Sequence, residues 1–282
     1  MPALSPPALQ PFLDLLRCPV CRACLRPDRG ALRCPAGHTF DIARQGYAGL
    51  LTGARATSGD DVAMVQARNR FLSTGTYAPI REALAQLTAD VLPDRGTIVD
   101  AGCGTGYYLA GVLDQLPGAR GLGLDTSVRA LRSAARVHRR AAAASWDVFR
   151  PFPLADEVAD VVLDVFAPRN PSEFHRVLRP TGRLIVVRPT DRHLAELRGQ
   201  VPGMVTIDPA KEQRLQHTLG PFFEAAETQR LEYTASLTRQ EAADLVRMTP
   251  SARHLDDANP ARHGLLSCQV TVSVLATSYR PR

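Results

Sequence analysis

From about residue 60 onward, apolar positions switch repeatedly between two periods. Residues 61–72 (DVAMVQARNRFL) and 77–92 (YAPIREALAQLTADVL) carry apolar side chains at helical spacing, which predicts helices with one buried face. TIVDA at 97–101 is a short β-branched run that ends in a glycine loop and reads as a buried strand, after which 107–116 returns to the helical period. The rhythm continues with a strand at 120–125 (RGLGLD) and a helix over 127–140 with Ser127 as its N-cap. Strands follow at 141–145 (AAAAS) and 158–167 (VADVVLDVFA), then a helix ending in the turn RPTG (179–182), then a strand at 184–189 (LIVVRP). A helix over 191–200, a variable segment to about 220, a helix over 238–247 and the β-rich CQVTVSVLATS at 268–278 complete the chain. Alternating strands and helices predict an α/β fold with an open, mostly parallel sheet.

Composition narrows the class. Of 282 residues, 45% are hydrophobic and 22% charged, enough for a real core, and no run approaches the ~18 apolar residues of a membrane span. The N-terminus has no basic start or continuous apolar stretch and does not read as a signal peptide, so a cytoplasmic location is expected, with cysteines reduced or metal-bound. Net charge is +6, of which residues 1–70 hold +4: nine Arg (17, 22, 26, 29, 33, 44, 55, 68, 70) against five acids. A local arginine excess suits a nucleic-acid surface. Coding bias is the plainer reading, since Lys211 is the only lysine.

The sharpest motif is VDAGCGTGYY at 99–108. Gly102, Gly104 and Gly106 let the backbone turn tightly and approach a ligand where side chains would collide. The spacing is G-x-G-x-G, with Asp100 two residues ahead and Cys103, Thr105 and Tyr107 between and after the glycines. It is neither a dinucleotide fingerprint, which needs a third glycine at Tyr107, nor a Walker A loop. Asp125 closes the second strand, where a carboxylate can accept both hydroxyls of a ribose. Together with the LRPTGRL turn (178–184), this set resembles the class I, Rossmann-like S-adenosylmethionine-dependent methyltransferases. That likeness implies a mostly parallel seven-stranded sheet, Gly102–Gly106 along the methionine part of the cofactor, Asp125 on the ribose and Asp147 near the adenine.

A second constellation lies ahead of it. Cys18-Pro-Val-Cys21 and Cys34-Pro-Ala-Gly-His38 form two knuckle-like pairs joined by a short hairpin, a spacing that offers four tetrahedral Zn2+ ligands. Cys24 is a surplus thiol able to replace one of them. Four ligands close the site, so its role reads as structural, in a segment too short to fold otherwise. Neither Cys103 nor Cys268 sits beside a base that would make it a nucleophile.

The order of motifs is more specific than either constellation alone. CPAGHTFD (34–41), GYAGLL (46–51), QARNRFLSTGTYAP (66–79), VDAGCGTGYY, VFAP (165–168) and RHLAEL (192–197) follow one another as in the 23S rRNA (guanine-N1)-methyltransferases, and especially resemble their branch linked to resistance against tylosin-type macrolides. The resemblance covers roughly residues 15–280. It implies zinc on Cys18, Cys21, Cys34 and His38, and a cofactor pocket that includes Tyr77 and His193. It also implies a homodimer whose ribbons clasp a 23S rRNA hairpin, with neither membrane nor DNA as partner. Longer in its proline-rich N-terminus and unusually alanine-rich in strand three, the chain departs from the pattern near Ala144 and Asp147. The expected organisation is a proline-rich tail or capping helix (1–14), a zinc-binding RNA-recognition module (15–55), a helical linker (56–95) and a methyltransferase domain (96–282).

Chemistry at guanine N-1 requires an extruded base and in-line methyl transfer, with loss of the N-1 proton. Asp164, at the end of strand four, is the candidate catalytic carboxylate because that strand borders the target pocket, the other reading being a surface or capping carboxylate. Phe166 and Tyr107 are open to either reading, base stacking or plain packing. The strand reads DVFAP rather than Asp-Pro-Pro-Tyr, which weighs against methylation of an adenine amino group. A small-molecule methyltransferase with a merely structural zinc site is one alternative, which leaves the arginine-rich module unexplained; a non-catalytic RNA- or protein-binding zinc protein is another, against which the intact glycine loop and Asp125 argue.

Overall fold

The N-terminal forty residues have no apolar run long enough to build a core alone, and they fold around two tight turns. In the computed structural model, which describes residues 8–53, 59–92, 95–204, 211–253 and 266–282, strands β1 (Arg26–Asp28), β2 (Ala31–Arg33) and β3 (Thr39–Asp41) form an antiparallel sheet. Residues 1–7 of the proline-rich tail, Arg55 and the expected 55/56 boundary lie outside the described residues. The β1–β2 turn is Arg29-Gly30 with φ of +46° and +87°, the two-residue geometry whose twist matches flanking strands.

This ribbon is not a free module. Leu16 bridges Leu154, the Arg17 N–H donates to Pro153 O (2.8 Å), and the Arg22 guanidinium donates to the carbonyls of Phe152 and Leu154. Leu9 and Phe12, from the segment expected to be a tail or capping helix, are buried with Leu15, Leu16, Leu32, Phe40, Leu50, Leu122, Leu124 and Phe152 in one continuous apolar cluster. Two side chains of the presumed tail therefore belong to the core.

Helix α1 (Val62–Ser73) starts at Asp61, whose carboxylate accepts the Met64 N–H (2.8 Å), and α2 (Ala78–Ala89) packs on α3 (Tyr107–Gln115). Strands β4 (Thr97–Ala101) and β5 (Arg120–Asp125) are followed by α4 (Val128–Ala134), β6 (Ala141–Ser145) and β7 (Ala159–Val165). β4, β6 and β7 are buried at every position, as parallel strands covered on both faces must be. After α5 (Pro171–Val177) come β8 (Leu178–Pro189), α6 (Ala195–Gln200), α7 (Lys211–Leu219), β9 (Phe223–Leu237), α8 (Arg239–Arg247) and β10 (Cys268–Pro281). The sheet runs β6-β5-β4-β7-β8-β10-β9, its first five strands parallel and the last two antiparallel. The seven-stranded, mostly parallel expectation is met.

Three local expectations differ. The helix expected over 127–140 stops at Ala134, and beyond it the Arg140 guanidinium donates to the carbonyls of Leu113, Leu116 and Ala119 at and after the end of α3. The helix expected over 191–200 begins only at Ala195: Thr190 N–H donates to Ser273 O (3.0 Å) and Leu194 N–H to Thr271 O (2.7 Å), so this segment stays bound to β10. His193 therefore precedes the helix. Strand β9 occupies the stretch between about 220 and 238, to which the sequence pattern assigns no element. It is the sheet edge, and its outward positions are mostly polar.

Candidate functional site

Parallel strands in an open sheet present their carboxyl ends to a crevice, and here β4, β5 and β7 end together. The chain leaves β4 through Gly102, Gly104 and Gly106, at φ of +81°, +54° and +83°. A Cβ on Gly102 would stand 2.6 Å from the Cβ of Ala167, and one on Gly106 2.8 Å from Val137. Bare backbone is what lets the loop lie against β7 and α4. Gly102 and Cys103 donate their N–H groups to Leu124 O, and the Asp125 carboxylate accepts from Gly104 N–H (2.8 Å) and Ser127 N–H (2.7 Å). Asp125 is thus fixed at the loop's edge with two accepting bonds made and lone pairs to spare.

The electrostatics are those of a buried acidic centre. Asp100 is pushed up to about 8 by burial, then by the charges of Asp125 and Asp164. Burial also raises Asp125. Asp164 is wholly buried and ion-paired with Arg169 Nε at 3.3 Å. Three carboxylates at one crevice form a site complementary to a cation, and with the glycine cradle they fit a nucleoside bearing a sulfonium and an ammonium.

Across the crevice lies a ring cluster. Tyr77 Oη stands 3.3 Å from His193 Nε2, and Ser273 N–H donates to His193 Nδ1 at 3.2 Å. Accepting at Nδ1 assigns the neutral ring's proton to Nε2, which donates to Tyr77. Burial, helped by Arg198, lowers His193 to about 4, so it is neutral at physiological pH, while burial raises Tyr77 and keeps it a phenol. Phe166 lies parallel to His193 (6.0 Å, 24°) and within 6.3 Å of both Tyr77 and Tyr108.

The residues expected from sequence are thus mostly gathered. Asp100, Gly102, Gly104, Thr105, Gly106 and Asp125 are at the β4–β5 crevice, and Asp147, half-buried at the end of β6, accepts the Phe149 N–H (3.0 Å). Cys103 points inward, its sulfur where a side chain on Gly123 would be. Tyr107 turns toward α2, under the Arg81 guanidinium at 4.9 Å. Its neighbour Tyr108, which sequence reasoning passed over, joins the cluster instead. Arg68 was missed as well: it lies against the loop beside Gly104, bonded to Asp60 and to Met248 O. Its place in QARNRFL, one helical turn from two buried apolar positions, carried no signal beyond charge.

At the second constellation, Cys21 Sγ and Cys34 Sγ are 3.7 Å apart, His38 Nδ1 lies 3.6 Å from Cys18 Sγ and 3.3 Å from Cys34 Sγ, and all four ligand atoms fall within 4.8 Å of one another. A tetrahedron with Zn–S of ~2.3 Å and Zn–N of ~2.0 Å has edges of about 3.5–3.8 Å. The set fits zinc. Cys24 is exposed and outside the group.

Comparison with known proteins follows the same division. The RlmA N-terminal zinc ribbon matches residues 16–55, and a methyltransferase domain matches 98–182. A protein of Micromonospora griseorubida named as a 23S rRNA (guanine-N(1)-)-methyltransferase is 48% identical, over 96% of this chain and 98% of its own. The 23S rRNA (guanine(748)-N(1))-methyltransferase of Streptomyces fradiae is 45% identical over 94% and 96%. In fold, a chain from the complex between the Haloferax volcanii Trm112 methyltransferase activator and a methyltransferase superposes with a TM-score of 0.50 at 19% identity, over 79% of this chain and 99% of that one.

Proposed function

Since the chain belongs to the 23S rRNA (guanine-N1)-methyltransferase family, we propose that it transfers the methyl group of S-adenosylmethionine to N-1 of a guanine in a 23S rRNA hairpin loop. The observation that carries this reading is near-full-length similarity to relatives of that name, spanning both the zinc ribbon and the glycine-loop crevice. Incubating the protein with labelled cofactor and 23S rRNA tests it. The expected product is a single 1-methylguanine in a hairpin loop, located by primer extension; unlabelled RNA beside a labelled small molecule would refute it.

In this reading the cofactor supplies an electrophilic methyl, and the protein's residues align and protect it. The glycine-loop backbone holds the methionine part, Asp125 takes the ribose hydroxyls, and Asp147 stands toward the adenine. Tyr77 and His193 close the far side of the pocket, with Tyr77 free to donate its own proton because His193 already donates to its oxygen. Asp164 is the carboxylate assigned to the N-1 proton. Arg169 Nε lies 3.3 Å from its Oδ1.

The ribbon supplies RNA affinity. Arg26 and Arg33 are exposed and face each other across the β1–β2 ladder. Asp28, 3.5 Å from the Arg33 guanidinium, offsets part of the repulsion, and a phosphate between the two arginines would neutralise the rest. We further assign a cytoplasmic location, where ribosomal RNA is found, and no described helix is long and apolar enough to cross a membrane. A homodimer and a role in tylosin-type macrolide resistance belong to the same reading. Light scattering of the purified protein tests the dimer. Expression in a macrolide-sensitive host with no change in susceptibility would remove resistance.

A further inference from the structure

Phe166 stands out for a conformation that packing alone does not explain. It is not glycine, yet its φ is +54°, a left-handed region in which a side chain crowds the backbone. Its N–H is held by Val187 O (3.1 Å), and the next residue, Ala167, is the one that fills the space above Gly102. The backbone is therefore pinned on both sides, and the ring goes where that strain sends it. It does not go into the core: Phe166 is 39% exposed, one of few large apolar side chains left open in the described structure. One ring face is backed by the neutral His193 imidazole at 24°, and Tyr77 and Tyr108 stand beside it. It lies two residues beyond Asp164, at the carboxyl end of β7.

An aromatic ring supported on one side and open on the other is a surface on which a flat heterocycle stacks. From the supported, strained and open Phe166 ring we infer that it is the platform for the extruded target purine, with His193 stacked behind it. This rests on the RNA-methyltransferase reading above and adds the residue that orients the base. A stacked purine presents its Watson–Crick edge sideways, which is how N-1 is brought in line with a methyl held by the neighbouring loop. Phe166 is thus a positioning group in contact with substrate, and it takes no proton.

The test uses the full-length protein, the unmodified form of the 23S rRNA hairpin that it methylates, and the variants F166L, F166Y and F166G. Four quantities are read: kcat/KM for RNA, S-adenosylmethionine affinity, Tm, and the fluorescence of a hairpin carrying 2-aminopurine at the target position. Loss of one base–aromatic stack is expected to lower kcat/KM about 5- to 150-fold in F166L and F166G, with F166Y close to wild type. Cofactor affinity is expected to hold in all three. Tm is the folding control, since F166G relieves the strain of this φ but also loses the ring's packing. Wild type and F166Y should quench the 2-aminopurine, and F166L should not.

Wild-type turnover by F166L overturns the assignment. So does a loss of cofactor affinity that parallels the loss of rate, since the ring would then be packing the cofactor. A wild-type protein that binds cofactor but leaves the hairpin unmethylated instead overturns the functional reading beneath it.

Discussion

Cofactor binding should release a proton, and Asp100 should be its source. In the free protein Asp100 is held near 8 by burial and by the charges of Asp125 and Asp164, so at pH 7 about nine molecules in ten carry the proton there. S-adenosylmethionine brings a permanent sulfonium charge to the crevice those carboxylates line. A unit positive charge at ~6 Å, with an effective dielectric of ~20, is worth about 2.8 kcal/mol, or about 2 pKa units. Asp100 would then sit near 6 and be about one-tenth protonated at pH 7, so roughly 0.8 proton leaves on binding. Linkage turns this into affinity: between pH 6 and pH 8 binding should tighten about 25-fold through this group alone.

Isothermal titration calorimetry in buffers of different ionisation enthalpy counts the proton directly. Asp100→Asn is the decisive comparison, because the ligand's own amine titrates identically with both proteins. S-adenosylhomocysteine, without the sulfonium, should release much less. Stability carries the same signature. A carboxyl whose folded pKa is raised binds its proton more tightly when folded, so its favourable contribution is full below pH ~4 and is lost as pH rises toward 8. Asp100→Asn should flatten that decline and be the more stable protein at pH 8. Equal proton release by wild type and Asp100→Asn would refute the reasoning.

Other perturbations follow from single contacts. Gly102→Ala places a Cβ 2.6 Å from Ala167 at φ +81°, and should weaken cofactor binding by about 100-fold or more in equilibrium dialysis. Gly75→Ala, at φ +82° with no atom within 4 Å, is its control: it should cost only about 1–2 kcal/mol of stability and leave affinity alone. Removing zinc with a chelator, or by Cys34→Ser, should lower the Tm of the whole chain by ~10 °C or more in one calorimetric transition. Ribbon and sheet share a core, so a separate early melt with an unshifted second peak would contradict this. His193→Asn keeps an acceptor for Ser273 N–H but takes away the ring that backs Phe166 and the donor to Tyr77. It should reduce turnover about tenfold with little change in Tm, given net hydrogen-bond worth of about 1 kcal/mol, and a large drop in Tm would mark His193 as a packing residue.

What the sequence made legible was what local chemistry dictates. A glycine triplet after TIVDA, an acid ending the next strand and four soft ligands at knuckle spacing each have one economical geometry, and each adopts it. What stayed hidden was decided by partners far away in the chain. The helix expected through His193 loses its first turn because Thr190 and Leu194 find β10, some eighty residues on. β9 does carry an alternation at Leu231, Tyr233, Ala235 and Leu237, all packed toward the core. Its outward residues are so polar that the segment resembled surface loop, which is also what keeps an exposed sheet edge from pairing with another molecule.

The alanine-rich β6 is the surface on which the ribbon sits. Ala48 N–H donates to Ala143 O (3.0 Å) and Ser145 N–H to Ala48 O (2.8 Å), so the ribbon is bound to β6 by a single parallel bridge at Ala48. Ala142 and Ala144 lie in the cluster that holds the ribbon's apolar residues, while Ala143 packs with Cys103, under Tyr47. Larger side chains there would push the ribbon off the sheet and disturb Cys103 inside the cofactor loop. The small residues of β6 are thus the joint between the two constellations, and the zinc site and the glycine loop are parts of one packed unit.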